Sequence, residues 1–390
     1  MEEKIHQHLQ SIDFLIKSHR NELVTINGGL PSIVIFYFHL HEATQEERHY
    51  ESAVLYLELL YDALEKSMPE RYTYSSGLAG LGWFFSYIQR FIEIENPFDT
   101  PEFDSQFMAA AQKELSYYNY EYLIGYCGIL QYLISKKSTD HALLYQFIDD
   151  VYKQIFSLED PIIFFKQKDV RHKFPSINLG VSHGMFGFAA ILNQLIAKQI
   201  HPEKCTTILK FIIDFTFEHE KDFVSEGRFF PDRIGGGIKE NRNCRLAWCY
   251  GDLGILTVLY NSSIILKDDE LQHKVTQMLI NTTHRKDLNS TMMNDIWLCH
   301  GTCGAAHIFQ RLYTTTQIDD CKFAANYWYR KTLEQLDKGS PQIRMNLTRS
   351  GSYARKDLTG FLTGYAGLGL SLLSKLPNAD MDWDRMILMS

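Results

Sequence analysis

Residues 248–254 read Trp248-Cys249-Tyr250-Gly251-Asp252-Leu253-Gly254, and 50 residues further on the chain reads Leu298-Cys299-His300-Gly301-Thr302-Cys303-Gly304. The shared element is Gly-x-x-Gly. It recurs at 77–80, 125–128, 184–187, 251–254, 301–304 and 364–367, and a degenerate copy, Gly29-Leu30-Pro31-Ser32, opens the series. Successive first glycines lie 48, 48, 59, 67, 50 and 63 residues apart. Self-similarity at this period marks a repeat architecture, in which one supersecondary unit is stacked again and again.

Each glycine pair is followed by a mostly apolar stretch, for example Leu81 to Ile88, Phe188 to Leu195 and Ile255 to Ile264. Such stretches predict helices that are buried all round and form an inner ring. Amphipathic segments such as Tyr50 to Glu65 and His141 to Phe156 lie between them and predict an outer ring with one wet face. Two helices per unit fill a spacing of about 50 residues, since helices run about 10–14 residues with turns between. The glycines serve tight turns and close backbone approach. Gly77-Leu78-Ala79-Gly80-Leu81-Gly82 is no dinucleotide fingerprint, because it lacks the strand-turn-helix setting and the later acidic residue.

Composition fits a soluble globular body: 390 residues, 45% apolar and 22% charged. Length alone suggests two or three domains. The repeat instead predicts one domain over 1–390, with small insertions near 157–177 and 219–246, where the glycine spacing lengthens. In those gaps Pro161 to Phe165 and Gly227 to Phe230 read as strands. The net charge of −8, without a Lys/Arg stripe, speaks against nucleic acid. Met1-Glu2-Glu3-Lys4 opens no secretory signal, and the apolar run Leu30 to Leu40 is too short to span a bilayer.

Seven cysteines spread over a long chain do not form a disulfide framework. A reducing cytoplasm is the simplest setting. Cys205 and Cys321 fall in helical stretches and read as small buried hydrophobes. Cys127 and Cys303 precede the second glycine, a slot filled by Ala79 and Ala366 in other copies. Cys249, Cys299, His300 and His183 are different. They occupy the two slots before the first glycine, in three consecutive copies. In a closed ring matched slots face a common axis. Two thiols and one imidazole, Cys249, Cys299 and His300, would then converge as a zinc site with one open position, with His183 beside them. Cys244 is a rival ligand outside that register.

Asn178-Leu179-Gly180-Val181-Ser182-His183-Gly184-Met185-Phe186-Gly187, Arg245-Leu246-Ala247-Trp248-Cys249-Tyr250-Gly251, Cys299-His300-Gly301 and Gly364-Tyr365-Ala366-Gly367-Leu368-Gly369 together resemble the lanthionine synthetase C-like cyclases. The resemblance spans residues 25 to 375. It implies an all-α fold, an α/α toroid of two concentric helical rings with seven repeats, and zinc held by Cys249, Cys299 and His300. It also implies that His183 is the active-site histidine and that Arg245 lies near it. Arg245 alone also reads as a structural ion pair. The family usually has Asp four residues before the third Gly-x-x-Gly, where this chain has Glu121. Glu121 alone reads equally as a solvated helix residue.

The implied chemistry is conjugate addition of a peptide cysteine to dehydroalanine or dehydrobutyrine, with His183 as proton donor or acceptor. Glu121 and Arg245 complete the catalytic set. The substrate is then a dehydrated precursor peptide. A separate dehydratase and an export transporter are the implied partners, and the setting is the cytoplasm, peripheral to a membrane-associated biosynthetic complex. Two alternatives stay open at this level: addition of glutathione or another small thiol to dehydrated residues, and a zinc-stabilised scaffold that binds peptides without catalysis. A glycosidase-type toroid lacks support, since no carboxylates fall in register.

Overall fold

The computed structural model of the protein describes residues 1–136, 141–167, 174–237, 244–338 and 358–389. The helices of the first half are α1 (Glu2–Ser18), α2 (Leu30–Thr44), α3 (Glu47–Lys66), α4 (Leu78–Ile88), α5 (Pro101–Ser116), α6 (Tyr126–Ser135) and α7 (His141–Phe156). Those of the second half are α8 (Met185–Ala197), α9 (Pro202–Phe217), α10 (Phe223–Glu226), α11 (Asp252–Leu266), α12 (Asp269–Thr283), α13 (Thr302–Thr316), α14 (Asp319–Asp337) and α15 (Tyr365–Leu373). Among the described residues no helix is long and apolar enough to cross a membrane.

The repeat glycines explain where seven of these helices begin. Gly29, Gly77, Gly125, Gly184, Gly251, Gly301 and Gly364 are the N-caps of α2, α4, α6, α8, α11, α13 and α15. A glycine offers no side-chain oxygen to the orphan N–H groups of the first turn. A carbonyl seven residues back takes that role: Leu23 accepts from Leu30 N at 2.8 Å, Asn119 from Tyr126 N at 3.0 Å and Asp295 from Thr302 N at 3.0 Å. The same carbonyl lies so close to the glycine that a Cβ would collide with it, as the Arg245 carbonyl would at Gly251. Gly251 also has φ +98°, which a residue with a side chain rarely adopts.

These seven helices are buried on every side; all residues of α2 from Leu30 to Leu40 are buried. The 10-residue α6 and 9-residue α15 are too short to hold as isolated helices, so packing of their side chains maintains them. By contrast α3 buries Ala53, Tyr56, Leu57, Leu60 and Leu64 along one face and exposes Glu51, Glu58 and Glu65.

The chain forms two compact units. The first comprises Met1–Arg71, Ser75–Glu93 and Met293–Ser390. Within it α2 packs on α3, α4 and α15, α13 packs on α14 and α15, and α1 covers α14 and α15. Its C-terminal 3-10 turn, Asp382–Ile387, is pinned by buried Asp384, which accepts from Arg311 Nε at 2.7 Å and pairs with His307 Nε2 at 2.9 Å.

The second unit comprises Tyr72–Tyr74 and Ile94–Met292. Here α6 packs on α5 and α8, α8 on α9 and α11, and α11 on α12. A small antiparallel sheet joins its two long inter-helix segments: β1 (Lys166–Gln167), β2 (Ser176–Asn178) and β3 (Arg233–Gly235), with Lys166 opposite Ile177 and Ile177 opposite Ile234. The strands are displaced from where the sequence predicts them. Pro161–Phe165 is a 3-10 turn, started by Pro161 and by Asp160 accepting from Ile162 N at 3.1 Å. Residues 227–230 are not a strand either. The N–H groups of Phe229 and Phe230 both point at the Asp252 carboxylate, at 3.1 and 3.0 Å, instead of at a neighbouring strand. Residues 168–173 and 238–243, inside the two predicted insertions, lie outside the described residues.

Candidate functional site

The loop before α6 places Glu121. Its neighbours Tyr120 and Tyr122 are fully buried anchors: Tyr120 donates to the Phe165 carbonyl at 3.1 Å, and the Tyr122 ring lies 4.9 Å from Tyr74. Between two inward-facing rings, Glu121 turns the other way. It sits in the loop and not on a helix, and its side chain is 13% exposed, which corrects the reading of a solvated helix residue. Oε1 lies 2.5 Å from His183 Nδ1, and Oε2 is buried without a hydrogen-bond partner.

His183 is the last residue before the N-cap of α8, and its side chain is 36% exposed, open enough to meet a substrate. The loop carrying it packs on the loop carrying Cys249. Ser182 Oγ donates to the Cys249 carbonyl at 3.3 Å, and a Cβ on Gly180 would collide with that same carbonyl. The Tyr250 ring lies 6.1 Å from the His183 ring. Burial raises the Tyr250 pKa, so its hydroxyl stays protonated. Arg245 is half-buried on the same loop, and its charge acts on half-buried Asp232. Burial pushes the Asp232 carboxyl up, while Cys244, Arg228 and Arg245 act to lower it.

In the first unit, Cys299 and His300 occupy the loop before α13. Cys299 N donates to the Leu362 carbonyl at 2.9 Å, and Gly301 N donates to the Trp297 carbonyl at 2.8 Å. His300 Nε2 lies 3.2 Å from Asp295 Oδ2. Sequence reading does not single out Asp295 or Tyr250. Tyr250 shares the slot of His183 and His300, which is a usable signal; Asp295 lies six residues before its glycine, as Arg245 does.

Within the first unit the side chains of His39, Glu42 and Asp380 could hold a metal ion, with one ligand atom per residue and those atoms within 4.8 Å of one another. That group already contains a cation, because Arg90 pairs with Asp380. Cys299 and His300 stand before α13 in the first unit, and Cys249 stands before α11 in the second. The remaining cysteines are poor ligands. Burial raises the thiol pKa to about 12 at Cys205 and Cys321, and further at Cys127, Cys244 and Cys303, so each stays protonated.

Comparison with known proteins gives this geometry a context. The nisin biosynthesis protein NisC of Lactococcus lactis subsp. lactis is 23% identical over 377 residues, which are 90% of this chain and 84% of that protein. Among solved structures, nisin cyclase superposes with a TM-score of 0.73 at 19% identity, covering 99% of this chain and 96% of its own. The helical architecture described above is therefore the predicted all-α fold, the α/α toroid. The family model of the lanthionine synthetase C-like proteins matches residues 23–388, a span that runs from before the first repeat glycine to beyond the last helix, and the chain belongs to that family.

Proposed function

We propose that this chain is a zinc-dependent cyclase. It would add cysteine thiols of a dehydrated precursor peptide to dehydroalanine and dehydrobutyrine, closing lanthionine and methyllanthionine rings. The observation that carries the reading is the 2.5 Å contact of His183 with Glu121, on a loop packed against the Cys249 loop. Thiol addition needs a site for sulfur and a group that moves a proton, and the candidate residues supply both kinds.

Cys249, Cys299 and His300 are the ligands in this reading. Two thiolates and one imidazole are a soft three-donor set, which suits zinc and leaves a fourth position for substrate. Zinc held there would lower the pKa of a substrate thiol, about 8.5 when free, so that the thiolate is available at neutral pH. In the addition the S–H bond breaks, sulfur bonds to the β-carbon, and a proton ends on the α-carbon; no group leaves. His183 handles that proton. Its Nδ1–H donates to Glu121, which fixes the tautomer and leaves Nε2 to take the proton and return it at the α-carbon. Arg245 stabilises the developing enolate oxygen.

The substrate must arrive dehydrated, so a dehydratase acts before this chain. An export transporter and a cytoplasmic setting beside a membrane-associated complex belong to the same reading. Residues 1–390 then form one cyclase domain, in which the segments 157–177 and 219–246 shape the substrate mouth. The resemblance to nisin cyclase and the donor set support this reading over a scaffold without catalysis.

The test uses the purified chain, zinc and a dehydrated peptide that retains its cysteines. Ring closure consumes free thiols, read by alkylation, with no change in peptide mass. A peptide that stays fully alkylatable removes the proposal. If added glutathione is incorporated instead, the small-thiol alternative replaces it.

A further inference from the structure

The slot six residues before the first glycine holds Asn178, Arg245 and Asp295 in three consecutive copies. The backbone there is fixed, since the carbonyl of each lies against its own glycine, Gly184, Gly251 or Gly301. Asn178 and Asp295 use one side-chain oxygen alike. Asn178 Oδ1 accepts from Gly180 N at 2.9 Å, and Asp295 Oδ1 accepts from Trp297 N at 2.9 Å. Both close a turn onto the N–H two residues on, as Asn and Asp do in loops generally. An amide therefore suffices for the turn. The carboxylate at 295 has a second oxygen that the turn does not use, and Oδ2 is the atom 3.2 Å from His300 Nε2. The Asp295 side chain is 12% exposed and that of His300 is 29% exposed, so little water competes for the contact.

We infer that Asp295 is a positioning residue for His300, and that its Oδ2 accepts the Nε2–H and so presents Nδ1 to the metal. The inference rests on the zinc reading of the preceding section. The two ring nitrogens of histidine are distinct, and a hydrogen bond to one selects the other as ligand. Such outer partners fix ring orientation, and losing one typically weakens metal binding 10–100-fold. The paired slots thus divide the work. Arg245 carries positive charge beside the Cys249 loop, whereas Asp295 carries negative charge beside a neutral imidazole that must act as a ligand.

Asp295→Asn separates the two roles, because the amide oxygen still accepts from Trp297 N while the carboxylate is gone. Zinc affinity is measured on the full chain by competition with a chromophoric chelator, and the metal-free melting temperature is measured alongside. The expected result is zinc affinity weakened about 10–100-fold, an unchanged metal-free melting temperature, and shifted absorption bands in the cobalt-loaded protein. Affinity and cobalt spectrum equal to wild type would overturn the role of Asp295. A lowered metal-free melting temperature with undiminished zinc affinity would assign Asp295 to the loop alone and overturn it too. Wild-type protein that binds no zinc would overturn the ligand set itself, a distinct outcome. Nitrogen-15 NMR of the zinc-loaded wild type gives an independent check. It should show His300 protonated on Nε2, and the opposite tautomer sinks the inference.

Discussion

Glu121 holds His183 by a single oxygen: Oε1 is 2.5 Å from Nδ1, while Oε2 is buried and makes no hydrogen bond. A buried carboxylate oxygen left without a partner costs free energy, on the order of 1–3 kcal/mol or more. That arrangement fits a site in which the carboxylate is kept for its effect on the histidine. We expect His183→Asn to lower ring closure about 10²–10⁴-fold, the usual contribution of a proton-transfer group, while zinc content is unchanged. Glu121→Gln should lose part of the same factor, because an amide can reverse the hydrogen bond and select the wrong tautomer. Glu121→Asp should keep activity. Ring closure at the normal rate in His183→Asn, followed by mass spectrometry after alkylation, would remove the histidine from the mechanism.

The metal reading has its own test. Cys249→Ala or Cys299→Ala leaves two ligands, and we expect either protein to lose most of its zinc by elemental analysis. Cys127→Ala and Cys303→Ala should keep it, since those thiols are fully buried and held protonated. Full zinc occupancy in Cys299→Ala would sink the assignment.

The glycines were readable in the sequence because Gly29, Gly125, Gly184, Gly251, Gly301 and Gly364 do a job no other residue can do, capping a helix where a carbonyl occupies the space of a Cβ. The apolar stretches were readable because seven helices are buried on all sides, which leaves no polar face to blur the pattern. Local pattern failed in the long gaps. Pro161 to Phe165 is apolar enough for a strand, yet a proline and an aspartate cap turn it into a 3-10 helix. Phe229 and Phe230 are bound by Asp252, which is more than 20 residues away in sequence and leaves no local signal. Asp295 was unreadable for the same reason. Its meaning lies in which atom its second oxygen reaches, and spacing alone says nothing about that.

Asp252 ties the second long segment to α11. It accepts from Phe229 N, from Phe230 N and, at 3.0 Å, from Arg285 Nη1 in a fully buried position. Burial raises its pKa and Arg285 acts to lower it. Asp252→Ala would strand the largely buried Arg285 and two backbone N–H groups. Breaking a buried pair by removing one partner typically costs about 3–5 kcal/mol. We expect a lowered denaturation midpoint, measured by urea titration, together with faster proteolysis near residues 227–233. A midpoint within error of wild type would show that the segment is held by something else.

His39 gives the fold a sensitivity to acid. It is 4% exposed on α2, its Nε2 lies 2.7 Å from the Tyr87 hydroxyl, and its Nδ1 lies 3.6 Å from Glu42. Burial lowers its pKa from 6.5 to about 4, with Asp380 acting to raise it and Arg90 to lower it further. In the fold the imidazole therefore stays neutral at a pH where the unfolded chain already takes up a proton. Stability is unaffected above the unfolded pKa of 6.5 and falls as pH drops from 6.5 towards about 4. The full effect, reached at the low end, is about 3 kcal/mol. Between pH 7 and pH 5 the loss from this one group is about 2 kcal/mol. His39→Gln keeps a polar partner for Tyr87 and cannot take the proton. We expect wild type to lose about 2 kcal/mol more than His39→Gln between pH 7 and pH 5 in urea titrations. Equal losses in the two proteins would place the acid sensitivity in other groups.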